Sequence, residues 1–170
     1  DPALSDSLLT GSFMGSLIAI VGENLGNTKA LWFNDQQATL NPAYITDKTI
    51  LVNVPSTVPT VVTDKMRFVF GDGSELLYDF KVNVPAPLID AIKCEYVPDG
   101  ELAVLQGDFF FEPMKVIFPG DLEGQIVSLT KTEIQVAVPA GAGSGPITVQ
   151  TNFGKVKSKF YFRDDRNIIL

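Results

Sequence analysis

Three carboxylates, Asp72, Glu75 and Asp79, stand close enough in sequence to raise the question of acid–base chemistry. Hydrolysis of a glycosidic bond needs two such groups facing one cleft at a set separation. The local pattern points elsewhere. Asp72-Gly73 is the dipeptide of a tight hairpin turn, and Glu75, Leu77 and Asp79 then alternate along the outer face of the next strand. The chain has no histidine, which removes the Ser-His-Asp triad, the Cys-His dyad and histidine-ligated metals. Cys94 is the single cysteine, so neither an intramolecular disulfide nor a paired-thiol metal clamp can form. Asp164-Asp165 could offer oxygens to calcium, but the neighbouring Arg163 and Arg166 make a salt bridge within the motif the simpler use of those charges. A phosphate cradle requires a glycine loop opening onto a helix, and no helical pattern is present. The sequence predicts no catalytic residue, no metal and no cofactor: not an enzyme.

Charge narrows the partners. With 13 Lys and Arg against 20 Asp and Glu, the net charge of −7 has the wrong sign for a nucleic-acid binder. No stretch approaches the roughly 18–20 apolar residues that span a bilayer. At 45% hydrophobic residues the chain is too apolar to remain disordered.

The elements that must position any site come in duplicate. Gly15-Ser16-Leu17-Ile18-Ala19-Ile20-Val21-Gly22 overlays Gly100-Glu101-Leu102-Ala103-Val104-Leu105-Gln106-Gly107 at an offset of 85. Ala30-Leu31-Trp32-Phe33 falls on Lys115-Val116-Ile117-Phe118 at the same offset, and Ile50 to Pro55 falls on Ile134 to Pro139 at 84. Leu76, Tyr78, Phe80 and Val82 match Val156, Ser158, Phe160 and Phe162 at 80, the drift reflecting loop-length differences. Within each copy the apolar period is two, as in half-buried strands. Dipeptides such as Asp99-Gly100 and Pro119-Gly120 punctuate them as turns.

About seven short strands in ~85 residues predict a small immunoglobulin-like β-sandwich in each copy. The expected core is Ile18, Ile20, Leu31, Phe33, Ile50, Val52, Val54, Phe68 and Phe80. In the second copy it is Leu105, Val116, Phe118, Ile134, Val136, Val138, Val149 and Phe160. Cys94, which aligns with Leu9, is expected in a small buried apolar slot. Lys155, Lys157 and Lys159 line the outer face of a late strand, where charge discourages edge-to-edge pairing.

The expected organisation is a first sandwich over 1–84, a proline-rich linker at 85–87, a second sandwich over 88–165, and the start of a further domain at 166–170. Two prolines in Asn83-Val84-Pro85-Ala86-Pro87 favour an extended, semi-rigid connection. The apolar ending Ile168-Ile169-Leu170 and the missing initiator Met suggest a piece of a longer protein.

Gly22-Glu23-Asn24-Leu25 and Gly107-Asp108-Phe109-Phe110, the paired Val54-Pro55 and Val138-Pro139, and Gly145-Pro146-Ile147-Thr148-Val149 recur at matching places in the two copies or close their late strand. With these residues the repeat unit resembles the IPT/TIG family of immunoglobulin-like, E-set-type domains. Leu31-Trp32-Phe33-Asn34-Asp35, Tyr44-Ile45-Thr46-Asp47-Lys48-Thr49-Ile50, Val84-Pro85-Ala86-Pro87 and the stretch from Phe160 to Ile168 are similar to the N-terminal part of Bacteroidetes surface glycan-binding proteins. Those are outer-membrane lipoproteins that accompany SusC/SusD-type importers. The resemblance implies tandem domains acting as a non-catalytic spacer at the cell surface. It also implies a polysaccharide bound by a C-terminal domain outside this chain, importer proteins as further partners, and membrane attachment only through a lipid anchor that Cys94 does not supply.

The alternative is that the two sandwiches themselves touch glycan or a protein. Sugars stack on aromatic faces, and three residues qualify. Trp32 alternates with core-facing Leu31 and Phe33 and should point outward or onto a neighbour. Phe109 and Phe111 flank Phe110, which matches Leu25 and plugs the end of its sandwich. Two further phenylalanines exceed what the core requires and suit a contact surface.

Overall fold

The computed structural model describes residues 9–164; the expected start of a further domain at 166–170 lies outside the described residues. The chain divides into two units, Asp1–Val84 and Pro85–Leu170. Among the described residues the regular structure is strand, with helix limited to the 3-10 turns Leu25–Asn27 and Pro42–Tyr44.

The first unit contains β1 (Gly11–Phe13), β2 (Leu17–Val21), β3 (Thr28–Phe33), β4 (Gln36–Gln37), β5 (Thr49–Asn53), β6 (Lys65–Phe70), β7 (Glu75–Asp79) and β8 (Lys81–Asn83). One layer is the antiparallel pair β2–β5, the other the sheet β4-β3-β6-β7, and β1 pairs β8 in parallel. Alternation does the sorting. Leu31 and Phe33 on β3 face inward at 0% and 1% exposure, with Ile50 and Val52 of β5 opposite. Phe33 meets Phe80 edge to face, centroids 5.6 Å apart, the geometry that aromatic quadrupoles favour.

The second unit contains β9 (Leu88–Ile92), β10 (Leu102–Asp108), β11 (Met114–Phe118), β12 (Leu122–Leu129), β13 (Glu133–Ala137), β14 (Thr148–Thr151) and β15 (Gly154–Lys157). Its strands run β15-β14-β11-β12-β13-β10-β9. The eight-residue β12 pairs β11 through Leu122–Gly124 and β13 through Gln125–Leu129. It thereby belongs to both layers, as corner strands of sandwiches do. A bulge at Gln106/Gly107 brings β10 against β9 so closely that a Cβ on Gly107 would lie 1.9 Å from the Leu88 carbonyl oxygen. Only glycine fits there.

The expected cores form, with Ile20 half-buried rather than enclosed. Two further positions differ. Phe160 is half-buried, and it is Phe162 that is fully enclosed, edge to face with Phe118 at 5.1 Å. The cause is Ser158, which is buried just after β15. Its hydroxyl accepts from the Ile147 amide (2.9 Å) and donates to the Phe160 carbonyl (2.8 Å), so the chain bends and the inward aromatic arrives two residues later. Cys94 is exposed rather than buried, its thiol directed at the Tyr96 carbonyl. It lies in the loop after β9, and its counterpart Leu9 is also 56% exposed, so neither copy has an apolar slot there.

Candidate functional site

The clustered carboxylates are each engaged locally. Asp72 accepts from the Ser74 amide and hydroxyl in the β6–β7 turn, and those bonds hold its carboxyl below the usual range. Across the outer face of the sheet Glu75 pairs with Arg67 at 3.0 Å and Asp79 pairs with Lys65. Arg163 is engaged within the second unit. Its guanidinium donates to the Val97 and Ala142 carbonyls and to Asp99, and it rests on the rings of Tyr96 and Phe162. The Arg163 bond, then one from the Gly141 amide, holds Asp99 below its usual range.

Trp32 is half-buried on the outer face of β3, in register with Arg67 of β6, whose guanidinium lies 5.3 Å from the indole centroid. Because Arg67 also holds Glu75, the ring has a charged cover. Phe109 and Phe111 come together in the second unit, centroids 6.3 Å apart, and both are half-buried. Lys131 stands 5.1 Å above the Phe109 ring while pairing with Asp108 at 3.6 Å. Phe109 has a φ of 60°, matching the 58° of Asn24 at the equivalent place in the first unit. Asparagine takes that left-handed conformation readily and phenylalanine does not. Phe110 is buried in the core.

A concave surface also exists that residue types alone did not single out. In the first unit a cleft of about 680 Å³ opens beside β5. Leu17, Leu51 and Tyr44 supply its apolar surface, exposed at 66%, 39% and 55%. Gln37, Thr39, Asn41 and Asn53 supply amides and a hydroxyl, with Ser56 and Thr57 at the rim. Its origin is a departure from the repeat. Where the second unit runs the long strand β12, the first has the two-residue β4, an irregular stretch and the Pro42–Tyr44 turn. Among the described residues, aside from an isolated bridge between Ile45 and Ile50, β5 pairs only with β2. The signal in the sequence was the absence of any match for 122–129 in the first copy.

The loop forming the rim is itself fixed. Asn34 accepts from the amides of Thr63 and Asp64, and Asp35 accepts from the amides of Thr60 and Val61 and from the Thr60 hydroxyl. Burial works to raise the Asp35 pKa, but these bonds, with one from Gln36, outweigh it and hold it at about 2.

This architecture, two sandwiches each with an edge-to-face phenylalanine pair in its core, defines a class: tandem immunoglobulin-like β-sandwiches. The comparisons agree. An IPT/TIG domain-containing protein of Bacteroides ovatus is 30% identical over 169 residues, covering 94% of this chain and 31% of that protein. The chain is similar, over 99% of its length, to the surface glycan-binding protein PbSGBP-B from Prevotella bryantii, with 35% identity and a TM-score of 0.78. It spans 41% of that protein, so it corresponds to well under half of either relative. A further structure, determined with a xylogluco-oligosaccharide, matches 89% of the chain at 24% identity and a TM-score of 0.54, which speaks for the fold alone. No family model matches the chain.

Proposed function

We propose that this chain is the non-catalytic presenting arm of a polysaccharide-binding protein at the outer-membrane surface. Two sandwiches joined through residues 85–87 hold a glycan-gripping domain, encoded beyond this chain, away from its lipid anchor and near an importer of the SusC/SusD type. The observation that carries the reading is the match along the full chain to less than half of a surface glycan-binding protein. The length left over in that relative is where a gripping domain would sit. Pro85 and Pro87 favour an extended, semi-rigid connection, and within the second unit a Cβ on Gly154 would lie 2.7 Å from the Ala86 Cβ, so Ala86 is packed against the start of β15. Restricting the angles a tethered module explores raises its effective concentration near a partner.

The test is calorimetry with plant and host polysaccharides. This chain alone should show no affinity tighter than the millimolar range, while the full-length protein binds in the micromolar range. Micromolar binding by residues 1–170 would overturn the reading.

A further inference from the structure

We infer that the cleft beside β5 is an accessory subsite for a neutral oligosaccharide, so that the first sandwich touches the polysaccharide it helps to present; the choice of ligand class rests on the presenting-arm reading. Size is the first argument. About 680 Å³ falls within the roughly 300–1,000 Å³ typical of ligand clefts.

Chemistry is the second. In a chain with 13 basic and 20 acidic residues, no charged side chain among the described residues lines this cleft. There is nothing to neutralise a phosphate, a uronate or a basic peptide. What is present is a tyrosine face, two leucines and a set of neutral donors and acceptors led by Gln37, Asn41 and Asn53. Alternating apolar C–H faces and hydroxyl edges are what a neutral sugar chain offers in return. The cleft-side edge of β5 adds backbone amides and carbonyls that β12 would occupy if the first unit followed the second.

Pre-organisation is the third. Asn41 caps the short turn by accepting from the Ala43 amide (3.0 Å), Pro42 restricts the backbone, and the Tyr44 amide bonds the Asn41 carbonyl at 2.9 Å. On the far side the Thr46 hydroxyl accepts from the Thr49 amide at 3.0 Å. Tyr44 is thus held by its backbone while the residue stays 55% exposed. A tyrosine so placed gives contact area at small entropic cost, since only two side-chain torsions remain to be ordered. A strand left out, an aromatic fixed in the gap and an uncharged lining are hard to account for as packing, because none of them adds to the core.

The test is a ¹H–¹⁵N NMR titration of the whole chain with uncharged hexasaccharides of glucose, mannose and xylose, and with hexagalacturonate as the charged comparison. At least one neutral sugar should give saturable shifts centred on Tyr44, Leu51 and Asn53 with a millimolar Kd, and hexagalacturonate should give none. Tyr44→Ala should weaken binding by about tenfold or more, while Tyr44→Phe keeps most of it. Thr39→Arg, which fills the cleft from an exposed position, should abolish it, and unchanged spectra elsewhere will show that both variants fold. The inference is overturned if no neutral sugar shifts these residues up to its solubility limit, if the shifts map to another surface, or if Tyr44→Ala binds as well as the parent. A silent cleft leaves the presenting-arm reading standing. Micromolar binding at the cleft would support the subsite and remove that reading, so the two fail separately.

Discussion

Asp35 shows how one side chain can organise a surface. Its carboxylate gathers the amides of Thr60 and Val61, and Asn34 beside it gathers those of Thr63 and Asp64. Four donors of an otherwise irregular loop are satisfied from one turn. The pKa of Asp35 is lowered to about 2 from 3.8, so the folded state favours its charged form. The stabilisation is complete above 3.8 and is lost as the pH falls through about 2. Amide exchange at Thr60 and Val61 should accelerate over that interval while exchange in β3 does not; uniform acceleration would contradict the assignment. The aromatic candidates also resolve at this scale. Trp32 and Phe109 each lie beneath a cation, Arg67 and Lys131, which the neighbouring residue types did not reveal because Arg67 comes from β6 and Lys131 from the β12–β13 turn, both distant in sequence. Phe109 holds a left-handed backbone that its own side chain disfavours, whereas the first unit has asparagine there.

Elements carry the comparison between the two copies. The Thr46 turn, with its hydroxyl bonded to the Thr49 amide, reappears at Thr130 and Glu133 with the same 3.0 Å bond. Between β3 and that turn the copies part, β12 in one and the cleft in the other. Pattern reading located the strands on either side, since β2, β3 and β5 alternate cleanly. It could not show that the gap opens into a cleft, because that depends on what fails to cover β5. The end of the second sandwich is closed by Arg163, whose side chain is only 13% exposed. Its planar fork serves several acceptors at once, and the Arg163 amide bonds the Glu95 carbonyl. Arg163→Ala should cost about 2–3 kcal/mol, the loss of charge-assisted bonds that leaves carbonyls unpaired. Arg163→Lys should recover little of it, because one ammonium cannot span the Val97 and Ala142 carbonyls together. Urea denaturation measures both, and a fully stable lysine variant would contradict this account.

At the scale of the molecule the described residues form two hydrophobic clusters, one around Leu31 and Phe33, the other around Val116 and Phe118. If the units are separate domains, Phe33→Ala and Phe118→Ala should each destabilise one unfolding transition by about 3–5 kcal/mol and leave the other in place. Calorimetry of both variants would show it, and a single transition shifted alike by either change would contradict it. Sequence alone determined the all-β class, the duplication and much of the core, although Met66, Val97, Ala103 and Ile147 are also buried and were not in the expected set. Alternation with period two and a repeated spacing are local properties, and burial of an apolar face follows from them whatever the loops do. The tertiary structure decided the rest: the two-residue shift from Phe160 to Phe162, the exposure of Cys94, the cations over Trp32 and Phe109, and the cleft. The shift involves Ser158 reaching the Ile147 amide, the covered rings depend on Arg67 and Lys131, and the cleft depends on a strand that does not form over β5; a linear pattern carries no record of which distant group arrives or fails to.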